Sequence, residues 1–123
     1  MFQYNDRSEF RRKHSAVDRK TESRKALRRH PDRKPLIVER SDRATVISEL
    51  DRKKYLVPNE MRISQLMHVI RSRGNITPTQ AVFIFVDNGI LVSSSATIEE
   101  IYTKYKSDDD MLYVTYCDEA TFG

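Results

Sequence analysis

The chain has 123 residues, the length of a single domain, and one third of them are charged. No apolar run approaches the roughly 18 residues that a membrane-spanning helix needs. A single cysteine, Cys117, excludes an intramolecular disulfide framework and indicates a reducing compartment, so we expect a cytoplasmic protein.

The positive charge is concentrated in the first half of the chain. Residues 1–54 hold 17 Lys and Arg against 9 Asp and Glu, whereas residues 55–123 hold 5 against 9. Such a basic half suits a polyanion, an anionic membrane or acidic peptides, but a charge run is more often a solvated helical face. Aromatic side chains are sparse between residues 11 and 54, so a nucleic-acid partner that stacks bases is not favoured.

The first half predicts short basic helices followed by two strands. Residues 1–29 read as a basic helical extension, and residues 30–123 as the domain proper, with a flexible C-terminal tail. The run 36–38 is a β-branched strand, and Lys54–Val57 is a second strand that Pro58 ends. Between them lies a polar connection, for which we expect three apolar anchors: Val46, Ile47 and Leu50.

The second half alternates helices and strands. Residues 60–73 have apolar side chains at i, i+3, i+4 and i+7, with Asn59 as the expected N-cap. Residues 81–86 are apolar on both faces, which predicts a central strand. After a turn and a short strand at 90–92, Thr97 and Glu100 form a capping box that opens another helix, whose apolar side chains again fall at i, i+3, i+4 and i+7. The acidic loop at 107–110 reads as a solvated turn before a last strand at 111–116.

This order of elements indicates an α+β fold with helices on one face of a sheet. Ubiquitin-like β-grasp domains have the order, and ferredoxin-like variants are near neighbours, so order alone does not decide between them.

The segment Lys54–Val57 offers a possible binding site. In a strand, Tyr55 and Val57 point to one side while Lys54 and Leu56 point to the other. A short strand that ends in proline is suited to a sheet edge, where it can recruit an extended peptide by strand addition. The alternative is that these apolar residues are simply core.

Nothing in the sequence indicates catalysis. His14, His30 and His68 lack metal-ligand spacing, and only three glycines are present, without a phosphate-binding loop. We therefore expect no enzyme activity, no metal and no cofactor.

Several separate motifs together resemble one known family. The segments HPDRKPLIVER, LDRKKYLVP, LMHVIRSR, FIFVDN, SATIEEIYTKYKSDDDMLYVTY and the final FG occur in the order and near the spacing of the autophagy ubiquitin-like modifiers. These are the GABARAP and microtubule-associated protein light chain 3 proteins. The resemblance covers residues 22–123.

The resemblance implies a ubiquitin-like β-grasp fold with two additional N-terminal helices and a C-terminal conjugation site. A processing cysteine protease would expose Gly123, and activating and conjugating enzymes would join its carboxylate to phosphatidylethanolamine on autophagosomal membranes, with Phe122 helping the enzymes recognise the tail. Cargo receptors and adaptors with short aromatic-x-x-aliphatic motifs would then bind the lipidated protein.

The resemblance also implies which residues bind such motifs. An aromatic pocket would use Glu22, Ala26, Pro35, Ile37, Lys54, Leu56 and Met111. An aliphatic pocket would use Tyr55, Val57, Pro58, Met61, Leu66, Val69 and Ile70. Acidic residues that flank the motif would meet Arg33, Lys53 and Arg73. The family has larger side chains at three of these positions, so we expect roomier and more adaptable pockets: Ala26, Leu66 and Met111.

Two alternatives remain open at this point. One is a ubiquitin-like modifier conjugated to a protein amine instead of a lipid. The other is an unconjugated basic β-grasp scaffold or nucleic-acid-binding domain.

Overall fold

The computed structural model describes residues 8–44, 46–87 and 89–119. Two helices precede the sheet: α1 (Glu9–Lys13) and α2 (Ala16–Arg29). The remaining elements are, in chain order, β1 (Arg33–Arg40), β2 (Lys54–Pro58), α3 (Ile63–Arg73), β3 (Phe83–Val86), β4 (Ile90–Leu91), α4 (Ile98–Tyr105) and β5 (Leu112–Cys117). Every helix within the described ranges is too short or too polar to cross a bilayer.

The five strands form one mixed sheet in the order β2-β1-β5-β3-β4. Strands β1 and β5 pair in parallel, and the other neighbours pair antiparallel. The fold is therefore α+β, as the order of elements predicts. The middle strand is β5, whereas β3 lies between β5 and the two-residue edge strand β4, and β2 forms the opposite edge.

Helices α3 and α4 cover one face of the sheet and enclose the larger core. The helical periodicity is confirmed, because Ile63, Leu66 and Ile70 of α3 are buried together with Ile98 and Ile101 of α4. The sheet contributes its alternate inward residues to this core: Leu36, Val38, Ile84, Val86, Leu112, Val114 and Tyr116.

Helices α1 and α2 lie against the other face. Phe10 of α1 is buried there with Ile37 of β1 and Met111, which precedes β5, and Tyr113 packs at the border of this smaller cluster. Because Ile37 points away from its neighbours Leu36 and Val38, β1 supplies both cores. The expectation of helices on one face therefore holds for α3 and α4 only.

The acidic loop before β5 is not the solvated turn that the sequence predicts. Asp109 is only 3% exposed, and its Oδ2 accepts hydrogen bonds from Arg19 of α2 and from the Tyr113 hydroxyl, both at 2.6 Å. Its Oδ1 accepts from the Met111 N–H at 2.9 Å, and its carbonyl oxygen accepts from the hydroxyl of Ser23. The loop therefore fastens α2 to the start of β5.

Three local predictions have different outcomes. The capping box of α4 is confirmed, since Thr97 Oγ1 accepts from Glu100 N–H and Glu100 Oε1 accepts from Thr97 N–H. The N-cap of α3 is Arg62 rather than Asn59, whose side-chain oxygen instead accepts from Lys34. Of the expected loop anchors, Ile47 is buried and Leu50 is half-buried, but Val46 is 63% exposed.

Candidate functional site

The backbone of β2 is open along one side. In the antiparallel pairing with β1, Val38 N–H donates to Lys53 C=O, and Asn59 N–H donates to Asp32 C=O. Odd-numbered residues of β2 thus direct their backbone groups toward β1, and even-numbered residues direct theirs away from it. The N–H and C=O groups of Lys54 and Leu56 therefore face the open edge.

Side chains of β2 alternate between the two layers of helices, as the sequence predicts. Tyr55 pairs with Leu36 and joins the core under α3, and Val57 is buried in the same core. Lys54 pairs with Ile37, and Leu56 pairs with Pro35, on the side of α1 and α2. The open rim thus separates two different surfaces.

The residues assigned to the aromatic pocket gather on the α2 side of β2. Lys54 forms an ion pair with Glu22 of α2, and both side chains are about half exposed. Ala26 and Leu56 are half-buried, whereas three members lie deeper and are buried: Pro35, Ile37 and Met111. The set therefore has a buried apolar part, which we call its floor, formed by Pro35, Ile37 and Met111. The ion pair between Lys54 and Glu22 lies at its solvent-exposed side.

The residues assigned to the aliphatic pocket gather on the α3 side. Val57, Leu66 and Ile70 are buried in the main core. The half-buried members form the accessible surface: Tyr55, Pro58, Met61 and Val69. Leu66 and Met111, where the resemblance implies larger side chains, are both about 1% exposed.

Tyr55 carries an unusual hydroxyl group. Its oxygen is buried and has no hydrogen-bond partner among the described residues. Burial raises the pKa of Tyr55, and the guanidinium of Arg73, which lies 5.7 Å from the ring centroid, opposes that shift. The phenol is therefore neutral at physiological pH, with Arg73 exposed beside it.

The other two predicted cations differ from Arg73 in their surroundings. Arg33 reaches the open edge, where its Nη1 donates to the Leu56 carbonyl oxygen at 3.3 Å. Lys53 lies among three carboxylates, with its Nζ 2.9 Å from Glu9, 3.6 Å from Glu39 and 3.8 Å from Glu49. Lys53 is thus already paired within the chain.

Helix α1 also contacts this site, which the sequence did not indicate. Phe10 packs on Ile37 and Met111 of the aromatic set, and its N–H donates to the buried carboxylate of Glu39 at 3.0 Å. The available signal was Phe10 itself, an aromatic residue followed by a long charged segment. The three partners named here, however, lie 27 or more positions away in the sequence.

The last strand ends at Cys117, whose thiol is buried. Phe122 and Gly123, the predicted conjugation residues, lie outside the described residues.

Comparisons with known proteins agree on one family. The family model described as "Autophagy protein Atg8 ubiquitin like" matches residues 18–123. Autophagy-related protein 8 of Mycosarcoma maydis is 44% identical over 117 residues, covering 95% of this chain and 98% of that protein. Autophagy-related protein 8 of Schizosaccharomyces pombe is also 44% identical, with 95% of each chain covered.

A solved structure extends the agreement to three dimensions. The crystal structure of Trypanosoma brucei ATG8 superposes with a TM-score of 0.86 at 38% identity, covering 96% of this chain and all of that one. On the motifs, the sheet order and these matches, the chain belongs to the Atg8 family of autophagy ubiquitin-like modifiers.

Proposed function

We propose that this modifier is conjugated through Gly123 to phosphatidylethanolamine on autophagosomal membranes and recruits cargo receptors there. The receptors and adaptors bind through aromatic-x-x-aliphatic motifs that add a strand to β2. The observation that supports peptide binding is the outward orientation of the Lys54 and Leu56 backbone groups.

The spacing of the motif matches the alternation of β2. Residues three apart in a strand point to opposite faces. An extended peptide at the open edge would therefore place its aromatic side chain on the α2 side and its aliphatic side chain on the α3 side. The two assigned residue sets lie on these two sides.

The positions of the two sets also favour one direction for the peptide. The aromatic set uses Lys54 and Leu56, whereas the aliphatic set uses Tyr55, Val57 and Pro58, one to two residues further along β2. A motif whose aromatic residue comes first would accordingly run parallel to β2. In that direction Lys54 and Leu56 offer two N–H and two C=O groups to a parallel neighbour, of which the Leu56 C=O already accepts from Arg33.

Peptide binding is tested with a charge-reversed and truncated edge. Lys54→Glu combined with Leu56→Ala changes two side chains of the aromatic pocket and keeps the β1–β2 backbone pairing. We expect loss of motif-peptide affinity in isothermal titration calorimetry and an unchanged circular dichroism spectrum. Unchanged affinity would remove strand addition from the proposal, and Glu99→Gln on α4 is a control that should bind normally.

Conjugation is tested separately, with activating and conjugating enzymes, ATP and liposomes. We expect a membrane-bound product with phosphatidylethanolamine liposomes, no product with phosphatidylcholine liposomes, and no product for a chain that lacks Gly123. A Gly123-dependent adduct on protein lysines alone would favour the protein-conjugated alternative. Binding to oligonucleotides that falls steeply with salt, without any adduct, would favour the unconjugated scaffold.

A further inference from the structure

The Lys53 ammonium lies at the beginning of the open edge and is surrounded by the chain's own acids. An ammonium group has three N–H donors. Three carboxylates already lie within 3.8 Å of it, and the Lys53 side chain is only 28% exposed. Of these three, only Glu9 lies within hydrogen-bond distance of the ammonium, so a carboxylate from outside the chain would compete first of all with Glu9.

The three carboxylates are not equally replaceable. Glu39 is buried, and the same Oε2 that faces Lys53 accepts the Phe10 N–H. Glu49 is 57% exposed and, at 3.8 Å, beyond hydrogen-bond distance. Glu9 makes the shortest of the three contacts, at 2.9 Å, and its side chain is 42% exposed.

Glu9 differs from Glu49 also in what it is attached to. It begins α1, a helix of five residues, and it forms a second ion pair with Lys13 of the same helix at 3.2 Å. The next residue, Phe10, packs on Ile37 and Met111 at the floor of the aromatic set. Release of Glu9 from Lys53 would therefore remove one of the contacts that hold α1 in place.

We propose that Glu9 is a specificity-determining residue of the β2 edge, because it binds the Lys53 ammonium that an acidic side chain of a ligand would otherwise bind. This inference rests on the proposed function. In the parallel direction favoured above, the residues before the aromatic position lie at the Lys53 end of β2. A peptide with glutamates there competes with Glu9 for Lys53, and displacement of Glu9 loosens α1, whereas a peptide with neutral residues there binds with Glu9 in place. The two effects are reciprocal, as linkage requires.

Two peptides with one motif test the inference. They differ only in the three residues before the aromatic position, which are Glu in one and Gln in the other. Titration calorimetry compares wild type, Glu9→Gln and Glu49→Gln, of which the last removes the same charge from Lys53 without touching α1. We expect Glu9→Gln to raise affinity for the acidic peptide about threefold, the size typical of a partly exposed ion pair, and to leave the neutral peptide unchanged. Glu49→Gln should have less than half of that effect.

Amide hydrogen exchange at Phe10 supplies a readout that a simple charge effect would not move. The acidic peptide should speed exchange of the Phe10 N–H in the wild type, and the neutral peptide should not. The role of Glu9 would be overturned if Glu9→Gln and Glu49→Gln raised affinity for the acidic peptide equally, or if the Phe10 N–H exchanged at the same rate with both peptides. Peptide binding at the β2 edge would remain intact in either case. Failure of both peptides to bind the wild type would instead overturn the proposed function, and this inference with it.

Discussion

The alternation of backbone groups along β2 makes a sharp prediction for proline. The Leu56 N–H points to the open edge, so Leu56→Pro removes no hydrogen bond between β1 and β2. The chain already has a proline at the next position of the same parity, Pro58. The residue before the new proline, Tyr55, is in a strand, and extended backbone is what a following proline requires. We therefore expect a folded variant whose rim is blocked.

The expected loss of peptide affinity follows from the hydrogen bond that the proline ring of Leu56→Pro removes. One backbone hydrogen bond to the ligand is worth about 0.5–1.5 kcal/mol, and the ring also keeps the incoming strand at a distance. Relative to Leu56→Ala, which keeps the N–H, Leu56→Pro should lose at least about tenfold in affinity for a motif peptide, or about 1.4 kcal/mol. Its free energy of unfolding should differ from that of Leu56→Ala by no more than about 1 kcal/mol.

Val57→Pro is the contrasting variant. The Val57 N–H faces Lys34 of β1, so a proline there removes a hydrogen bond between β1 and β2 and should cost about 1–3 kcal/mol in urea denaturation. Equal peptide affinities of Leu56→Pro and Leu56→Ala would refute the reasoning, because the outward N–H would then have no part in binding. Equal destabilisation by the two prolines would refute the assigned register.

Three further predictions concern stability. Asp109→Asn should lower the free energy of unfolding by about 2–3 kcal/mol in chemical denaturation, because charge-assisted hydrogen bonds to a buried carboxylate are lost, whereas exposed Asp108→Asn should stay within about 0.5 kcal/mol; equal effects would contradict the buried network. Lys53 and, after it, Lys13 lower the pKa of Glu9 to about 2 through hydrogen bonds and charge attraction. Docking of α1 should therefore be complete above about pH 4.5 and weaken as the pH falls toward 2, with amide exchange of α1 as the measurement; a Glu9→Gln variant that shows the same pH profile would speak against this cause. Tyr55→Phe should leave the melting temperature unchanged or raise it, since the buried hydroxyl has no partner to lose among the described residues, and a clear drop would mean that the hydroxyl is bonded after all.

The sequence was sufficient for the elements whose signals are local. The helical periodicity of α3 and α4, the capping box at Thr97 and the alternation of Lys54–Val57 each depend on neighbours within about four residues, and each was found where predicted. Pro58 correctly indicated an edge strand, because a proline cannot donate to a neighbour on that side.

Features that depend on distant partners could not be predicted in this way. Asp109 looks like part of a solvated acidic turn until α2 places Arg19 beside it, 90 positions away in the chain. Lys53 looks like a free cation until α1 brings Glu9 to it, and nothing in the local pattern distinguishes it from exposed Arg52. Asn59 has the side chain of a helix cap, but its hydrogen bond with Lys34 uses that side chain elsewhere.

Amide hydrogen exchange along β2, with and without a saturating motif peptide, tests the central claim most directly. In the free chain, Lys54 and Leu56 should exchange fast while Tyr55 and Val57, whose N–H groups face β1, exchange slowly. The bound peptide should slow Lys54 and Leu56 by about tenfold or more and leave the other two unchanged. Fast exchange at Lys54 and Leu56 in the saturated complex would contradict strand addition at this edge.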